Sequence, residues 1–198
     1  MPLEILTIPC LTDNYAYIAH DGDTGETLVV DVPEAAPVMT ALAQRGWTLS
    51  HVFLTHHHAD HVDGLDLLLK THPAKVIGAA ADAHRLAALD LAVREGDYIS
   101  IGSYRGEIMD VSGHTLGHIA LHFPEAKAAF TADSLMALGC GRLFEGSPQL
   151  MFESLTKLAA LPAQTWIYSG HEYTASNLKF ALSIEPENAR LISRGEKI

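Results

Sequence analysis

The segment Thr55-His56-His57-His58-Ala59-Asp60-His61 gathers imidazoles and a carboxylate at H-x-H-x-D-H spacing. In an extended chain the side chains at i and i+2 point the same way, so His56 and His58 face one point in space while His57 faces away. Where the chain then turns into a helix, Asp60 and His61 are presented beside them. A single histidine is ordinarily a surface or packed residue. Potential ligands grouped at this spacing read instead as part of a metal site, in which each imidazole nitrogen binds zinc at about 2.0–2.1 Å.

Further candidates follow downstream, each just past a predicted strand: His114 in Gly113-His114-Thr115, Asp133, and His171 in Gly170-His171-Glu172. Sorted by type, His56, His58 and His114 serve one divalent ion, Asp60, His61 and His171 serve a second, and Asp133 bridges both. Two such ions roughly 3.5–4 Å apart share a water and lower its pKa toward neutrality. Zinc is the expected metal, and iron or manganese suit the same ligands. With Asp60 and Asp133 as its only acidic ligands, the site keeps a net positive charge suited to an anionic transition state.

These residues need strand ends to hold them, and the pattern supplies them. Short β-type runs are predicted over 3–8, 15–19, 27–32 and 49–54, the last leading directly into the histidine cluster. Further strands are predicted over 75–79, 108–111, 118–123, 128–131 and 165–169. Helical spacing marks 34–45, stopped at Gly46, then 63–70, 80–89, a stretch around Met151, Leu155 and Leu158 ending near Pro162, and the chain beyond His171. Strands and helices interleave in two similar halves, which predicts two sheets packed together and covered by helices, an α+β fold of αββα layering.

Composition narrows the function. The chain has 198 residues with a formal net charge of −11, which disfavours nucleic acid as a partner because phosphate contacts need a surplus of Lys and Arg. Hydrophobic residues make up 48% and charged residues 19%, enough for a buried core. The N-terminal MPLEILTIPCLTDNY has neither a basic start nor a long apolar run, so no signal peptide and no membrane segment is expected. The two cysteines, Cys10 and Cys140, do not suggest a disulfide framework. A cytoplasmic enzyme, a monomer or weak homodimer, is the expectation.

The segments LTDNYAYIAHD, LVVDVPE, LTHHHADHVDG, VSGHTLGHIALHF, AFTADSL, GCGRLFEG and YSGHEYTASNLKFALSIEPEN together resemble the hydroxyacylglutathione hydrolases, the glyoxalase II family of the metallo-β-lactamase superfamily. The histidine motif alone marks the superfamily; GCGRLFEG (139–146) and GHEYTASNLKFA (170–181) are the more specific segments. The resemblance implies the metallo-β-lactamase αββα sandwich and hydrolysis of S-D-lactoylglutathione to D-lactate and glutathione. It implies that a hydroxide bridging the two metals, oriented by Asp60, attacks the thioester carbonyl. Arg142 and Tyr173 are then candidates to bind glutathione.

Phe144 stands where many members carry a tyrosine and cannot donate a hydrogen bond. Arg142 replaces a common lysine, and Ala132-Asp133-Ser134 replaces Gly-Asp-Thr. The resemblance divides the chain into a hydrolase domain over 1–171 and the start of a helical substrate-binding region over 172–198, which in the family runs on further and supplies basic residues for the glycine carboxylate. A raised KM for the glutathione thioester is therefore expected of the chain as it stands.

Other residues have plainer readings. His118 is expected to support a ligand rather than be one, and Asp31 to orient ligand histidines. Asp13, Asn14 and Tyr15 read as a loop-stabilising cluster, Cys140 as an inert thiol, and His51, His72, His84 and His122 as surface or core residues. Rival functions on the same scaffold are a lactonase, a general thioesterase, a β-lactamase, an iron-dependent persulfide dioxygenase, and a binding protein that has lost catalysis. A flavin-coupled di-iron enzyme would be expected to carry glutamate at position 58.

Overall fold

Along the second strand, Ala16 and Ile18 are buried in one apolar cluster and Tyr17 and Ala19 in another. A strand apolar on both faces has to lie between two layers, and this one does. In the computed structural model, which describes residues 2–198, β1 (Glu4–Cys10) and β2 (Asn14–His20) pair antiparallel. β3 (Thr27–Val30), β4 (His51–Leu54), β5 (Lys75–Ala79) and β6 (Leu91–Val93) then extend the sheet, the last three each parallel to the strand before. The sheet order is β1-β2-β3-β4-β5-β6.

The second sheet is built from β7 (Tyr98–Ile101), β8 (Tyr104–Asp110), β9 (Ile119–Phe123), β10 (Ala128–Ala132) and β11 (Trp166–Ser169), in the order β11-β10-β9-β8-β7. It is antiparallel except for the parallel pair β10–β11.

The main core lies between the sheets. Leu28, Val30, Phe53 and Ile77 of the first meet Ile108, Leu121, Phe123 and Phe130 of the second. On the outer face of the first sheet, Val29, Val52 and Leu54 pack against Val38 and Leu42 of α1 (Ala35–Arg45) and against Leu65 and Leu68 of α3 (Leu65–Thr71). On the outer face of the second, Met109, Val111 and Ala120 meet Leu158 of α4 (Pro148–Ala159). This is the expected αββα sandwich. A one-turn helix α2 (Ala59–Val62) follows the histidine strand, and α5 (Thr174–Ile184) and α6 (Ala189–Gly195) end the chain.

The local signals that shape these elements are readable. Gly46 closes α1, with its N–H and that of Trp47 reaching back to Ala43 O and Leu42 O. Ser147 caps α4 by accepting the Leu150 N–H, with Pro148 in its first turn.

One expectation fails. Residues 80–89 form a 3-10 turn at Ala80–Asp82 and then irregular chain rather than a helix. The Asp82 carboxylate is buried and accepts from Arg85 Nη2 (2.5 Å), and it lies 3.1 Å from His57 Nδ1. Local side-chain bonds of this kind offer the backbone an alternative to the helix. Among the described residues no helix is long and apolar enough to cross a membrane.

The C-terminal ends of β3, β4, β10 and β11 lie at one edge of the sandwich and open into the loops that carry the candidate ligands. Two residues there adopt left-handed backbone without being glycine: Asp31 (φ 56°) after β3, and Ala132 (φ 42°) at the end of β10. At Ala132 the pairing with β11 also shifts register.

Candidate metal centre

The extended chain after β4 behaves as the i, i+2 alternation requires. His56 is fully buried and its ring centroid lies 4.7 Å from that of His58. His57 turns outward to Asp82 and Glu145, with Nδ1 3.1 Å from Asp82 Oδ2. His114, from the loop after β8, brings Nε2 to 3.0 Å from His58 Nδ1. His56, His58 and His114 each offer a ligand atom within 4.8 Å of the others.

Beside them Asp60, His61 and His171 form a second such group. His171 Nε2 is 3.4 Å and His61 Nε2 3.9 Å from Asp60 Oδ2. Asp133 stands between the groups. Its Oδ2 is 3.4 Å from both His114 Nε2 and His171 Nε2, and its Oδ1 is 3.4 Å from His61 Nε2.

The far nitrogen of several rings is held by the protein, which aims the near one inward. His56 Nδ1 meets Thr55 Oγ1 at 3.0 Å, His61 Nδ1 meets Asp31 Oδ2 at 2.8 Å, His114 Nδ1 meets the Arg142 carbonyl at 2.7 Å, and His171 Nδ1 meets Asp13 Oδ1 at 2.9 Å. A third geometric group, Asp31 with His56 and His61, is better read as part of this support. Both Asp31 oxygens already accept, from the Thr55 N–H and from its hydroxyl. Asn14 donates to the Asp60 carbonyl and to Asp60 Oδ2, each at 3.0 Å.

The donor set fits divalent cations. His56 Nε2, His61 Nε2 and Asp133 Oδ1 are buried with no hydrogen-bond partner, a costly arrangement unless a ligand satisfies them. Burial holds His56, His58 and His114 below the usual imidazole range, in the neutral form that metals bind. Burial acts the same way on His61 and His171, but is outweighed. Asp133 and Asp31 raise His61 to about 10, and Asp133 and Asp60 raise His171 to about 10. The His171 hydrogen bond keeps the Asp60 carboxyl well below its ordinary range; Asp133, despite its burial, is held down by His171 and His61. This half of the site demands positive charge, which a cation displacing the two protons would supply.

Glycine is required by contact at Gly170: a Cβ there would lie 2.2 Å from Asp133 Oδ1 and 2.9 Å from His61 Cε1.

The site floors a cleft of about 1200 Å³, whose wall includes Arg142, Phe144, Tyr173, Met136, Cys140 and Phe180. Tyr173 stacks on His171 at 4.8 Å, and Phe144 stands edge-on to His58 and His114 at 5.4 and 5.3 Å. Every sequence-predicted site residue therefore reaches this cleft or its floor. His118 is fully buried and stacks on His56 at 4.6 Å, a supporting place rather than a ligand position. Cys140 is exposed at the cleft wall, and the partial desolvation there raises its thiol above the ordinary range.

The residues underrated in the sequence are Asp13 and Asn14, which touch His171 and Asp60 as well as bracing their loop. The Arg142 carbonyl and Thr55 hydroxyl were not anticipated at all. A backbone oxygen has no sequence signal, and Thr55 carries none beyond standing next to His56.

Comparison with known proteins agrees with this geometry. The sequence profile of the metallo-beta-lactamase superfamily matches residues 12–171. A hydroxyacylglutathione hydrolase of Roseobacter denitrificans is 62% identical over all of this chain and 78% of its own length. Among solved structures, the BLEG-1 B3 metallo-beta-lactamase superposes with a TM-score of 0.79 at 22% identity, over 85% of this chain and 92% of that one. ETHE1 from Myxococcus xanthus gives 0.76 at 30% identity, over 87% and 76%. With the fold, the grouped histidines and aspartates and a relative of this identity in agreement, the chain belongs to the metallo-beta-lactamase superfamily and, within it, to the hydroxyacylglutathione hydrolases.

Proposed function

We propose that the chain hydrolyses S-D-lactoylglutathione to D-lactate and glutathione, in the cytoplasm. The observation that carries this reading is the position of Asp133, within 3.4 Å of imidazoles from both ligand groups, at the floor of a cleft walled by Arg142 and Tyr173. His56, His58 and His114 would hold one divalent ion and Asp60, His61 and His171 the other, with Asp133 shared; zinc is the favoured metal. Bound there, the ions supply Lewis acidity and lower the pKa of a bound water.

The chain's own residues do the rest. Asp60, kept ionised by His171 and fixed by the Asn14 amide, accepts a hydrogen bond from the attacking water and sets its direction. Water gives up a proton, relayed past Asp60 to solvent, as its oxygen adds to the thioester carbonyl; the C–S bond then breaks and its electron pair leaves on sulfur. A thiol pKa of about 8.5 makes that thiolate a tolerable leaving group, so no side chain need protonate it in the cleft. The Arg142 guanidinium pairs with a glutathione carboxylate, the Tyr173 hydroxyl donates to the peptide, and Phe144 offers an apolar edge. In this reading residues 1–171 form the hydrolase unit, and the helices over 172–198 contribute to the substrate side through Tyr173 and Phe180.

The test is hydrolysis of S-D-lactoylglutathione measured beside a lactone and a β-lactam, with metal analysis of the same sample. A kcat/KM for the glutathione thioester at least a hundredfold above the others is expected. Preference for the lactone or the β-lactam would overturn the assignment.

A further inference from the structure

Arg85 and Glu145 take no part in the chemistry described above, yet they belong to a polar group that draws in Asp82 and His57. Arg85 pairs with Glu145 through both terminal nitrogens and with Asp82 through Nη2 and Nε. His57 stands between the same two carboxylates, 3.1 Å from Asp82 Oδ2 and 3.6 Å from Glu145 Oε1. Glu145 Oε2 also accepts the Leu116 N–H at 2.8 Å. The four side chains close a ring that joins the chain after β4, the turn after β5 and the loop 139–146, and the Leu116 N–H ties in the loop 112–118 that carries His114.

The ring is fitted rather than incidental. A Cβ on Gly117 would lie 2.1 Å from Asp82 Cγ, so the Asp82 carboxylate takes its place only because residue 117 has no side chain. Hydrogen bonds to Arg85 and Leu116 hold the Glu145 carboxyl down to about 2, so it stays charged.

We propose that Arg85 and Glu145 are positioning residues that clamp the loop 139–146, so that Arg142 and Phe144 keep their places over the metal centre. The loop's main chain is already joined to the ligand loops: Gly141 N donates to Asp133 O, Phe144 N to His114 O and Gly146 N to Gly113 O. Those bonds fix where the backbone runs. The Glu145 side chain is the anchor that ties the end of the loop to a different layer of the fold. An ion pair with side chains 29% and 25% exposed contributes little to global stability. A bidentate Arg–carboxylate pair does impose direction, and direction is what a loop presenting a guanidinium to an anionic substrate needs.

The proposal rests on the reading of the cleft as a glutathione-thioester site, and the experiment separates the two. Metal-loaded wild type, Arg85→Ala, Glu145→Gln and Arg85→Lys are compared by steady-state kinetics on S-D-lactoylglutathione, by metal analysis and by amide hydrogen exchange. Arg85→Ala and Glu145→Gln are expected to raise KM about tenfold with kcat within about twofold, the signature of lost uniform binding. Metal content should be unchanged, exchange over 141–146 should rise about tenfold, and Arg85→Lys should restore most of both effects. In an Arg142→Ala background the Arg85→Ala effect on KM should shrink severalfold, leaving only the part carried through Phe144, because the guanidinium being aimed is gone.

Unchanged exchange over 141–146 in both variants would overturn the clamp, as would a fall in kcat at constant KM. If wild type fails to hydrolyse the thioester, the functional reading falls and the exchange data alone decide the clamp.

Discussion

His57 and His58 are neighbours in sequence with opposite fates, and they give the sharpest test of the centre. His58 faces His114 and the cleft, whereas His57 is held outward by Asp82. His58→Ala is therefore expected to lose one ion per chain and to lower kcat/KM by at least a hundredfold. His57→Ala should keep the wild-type metal content by elemental analysis, with at most a modest rise in KM through the Arg85–Glu145 ring. At this scale the candidate ligands were legible because type and spacing carry them: H-x-H-x-D-H, then His114, Asp133 and His171 past strand ends. Their supports were legible only in part. Asp31 was expected to orient ligand histidines and meets His61, whereas Asn14 meets Asp60 from 46 positions away, a separation that only the tertiary fold closes.

The elements were legible where periodicity or capping was strong. Lys75–Ala79 is predicted residue for residue, the run over 15–19 falls within β2, and the stop at Gly46 is realised. Local signal failed where tertiary contacts decide. Residues 80–89 have helical composition, but the inward pull on Asp82 from His57 and Arg85 keeps them irregular. β6, at Leu91–Val93, is too short for any period to register. α4 offers a clean test of capping. Its Ser147 hydroxyl accepts the Leu150 N–H away from the metal residues. Ser147→Ala should cost about 1 kcal/mol, which at this chain length lowers Tm by roughly 2–4 °C. Calorimetry should show that loss while kcat stays at the wild-type value.

Taken whole, the molecule is two sheets joined at one edge by the proposed metal ligands and elsewhere by side chains. Two ions per chain are expected, and chelation should lower Tm. A site held at a thousand times its Kd contributes about 4 kcal/mol, or roughly 8–16 °C for a chain of this size. One ion per chain after reconstitution would remove the dinuclear arrangement.

A second join is Asp21, which accepts Ser103 N–H at 2.8 Å across the sheets and Asp23 N–H at 2.9 Å. Those bonds hold its carboxyl down to about 2 from an ordinary 3.8. A carboxylate depressed in the fold stabilises it above its ordinary pKa and loses that contribution as pH falls through the folded value. Asp21→Asn should thus be less stable than wild type at neutral pH, and the gap in denaturant midpoint should close between about pH 4 and pH 2. A gap that stays constant over that range would show that the charge is not what joins the sheets.

Ala132 has a consequence of a different kind. Its left-handed backbone, next to the carboxylate proposed to be shared by both ions, is a conformation that glycine adopts freely and alanine resists by about 1–2 kcal/mol. Ala132→Gly should relax that strain and remove a restraint on the peptide that aims Asp133. The variant is expected to melt higher, because the relief outweighs the added freedom of the unfolded chain, and to turn over more slowly. The ratio of the two changes would measure how much rigidity this centre trades for activity.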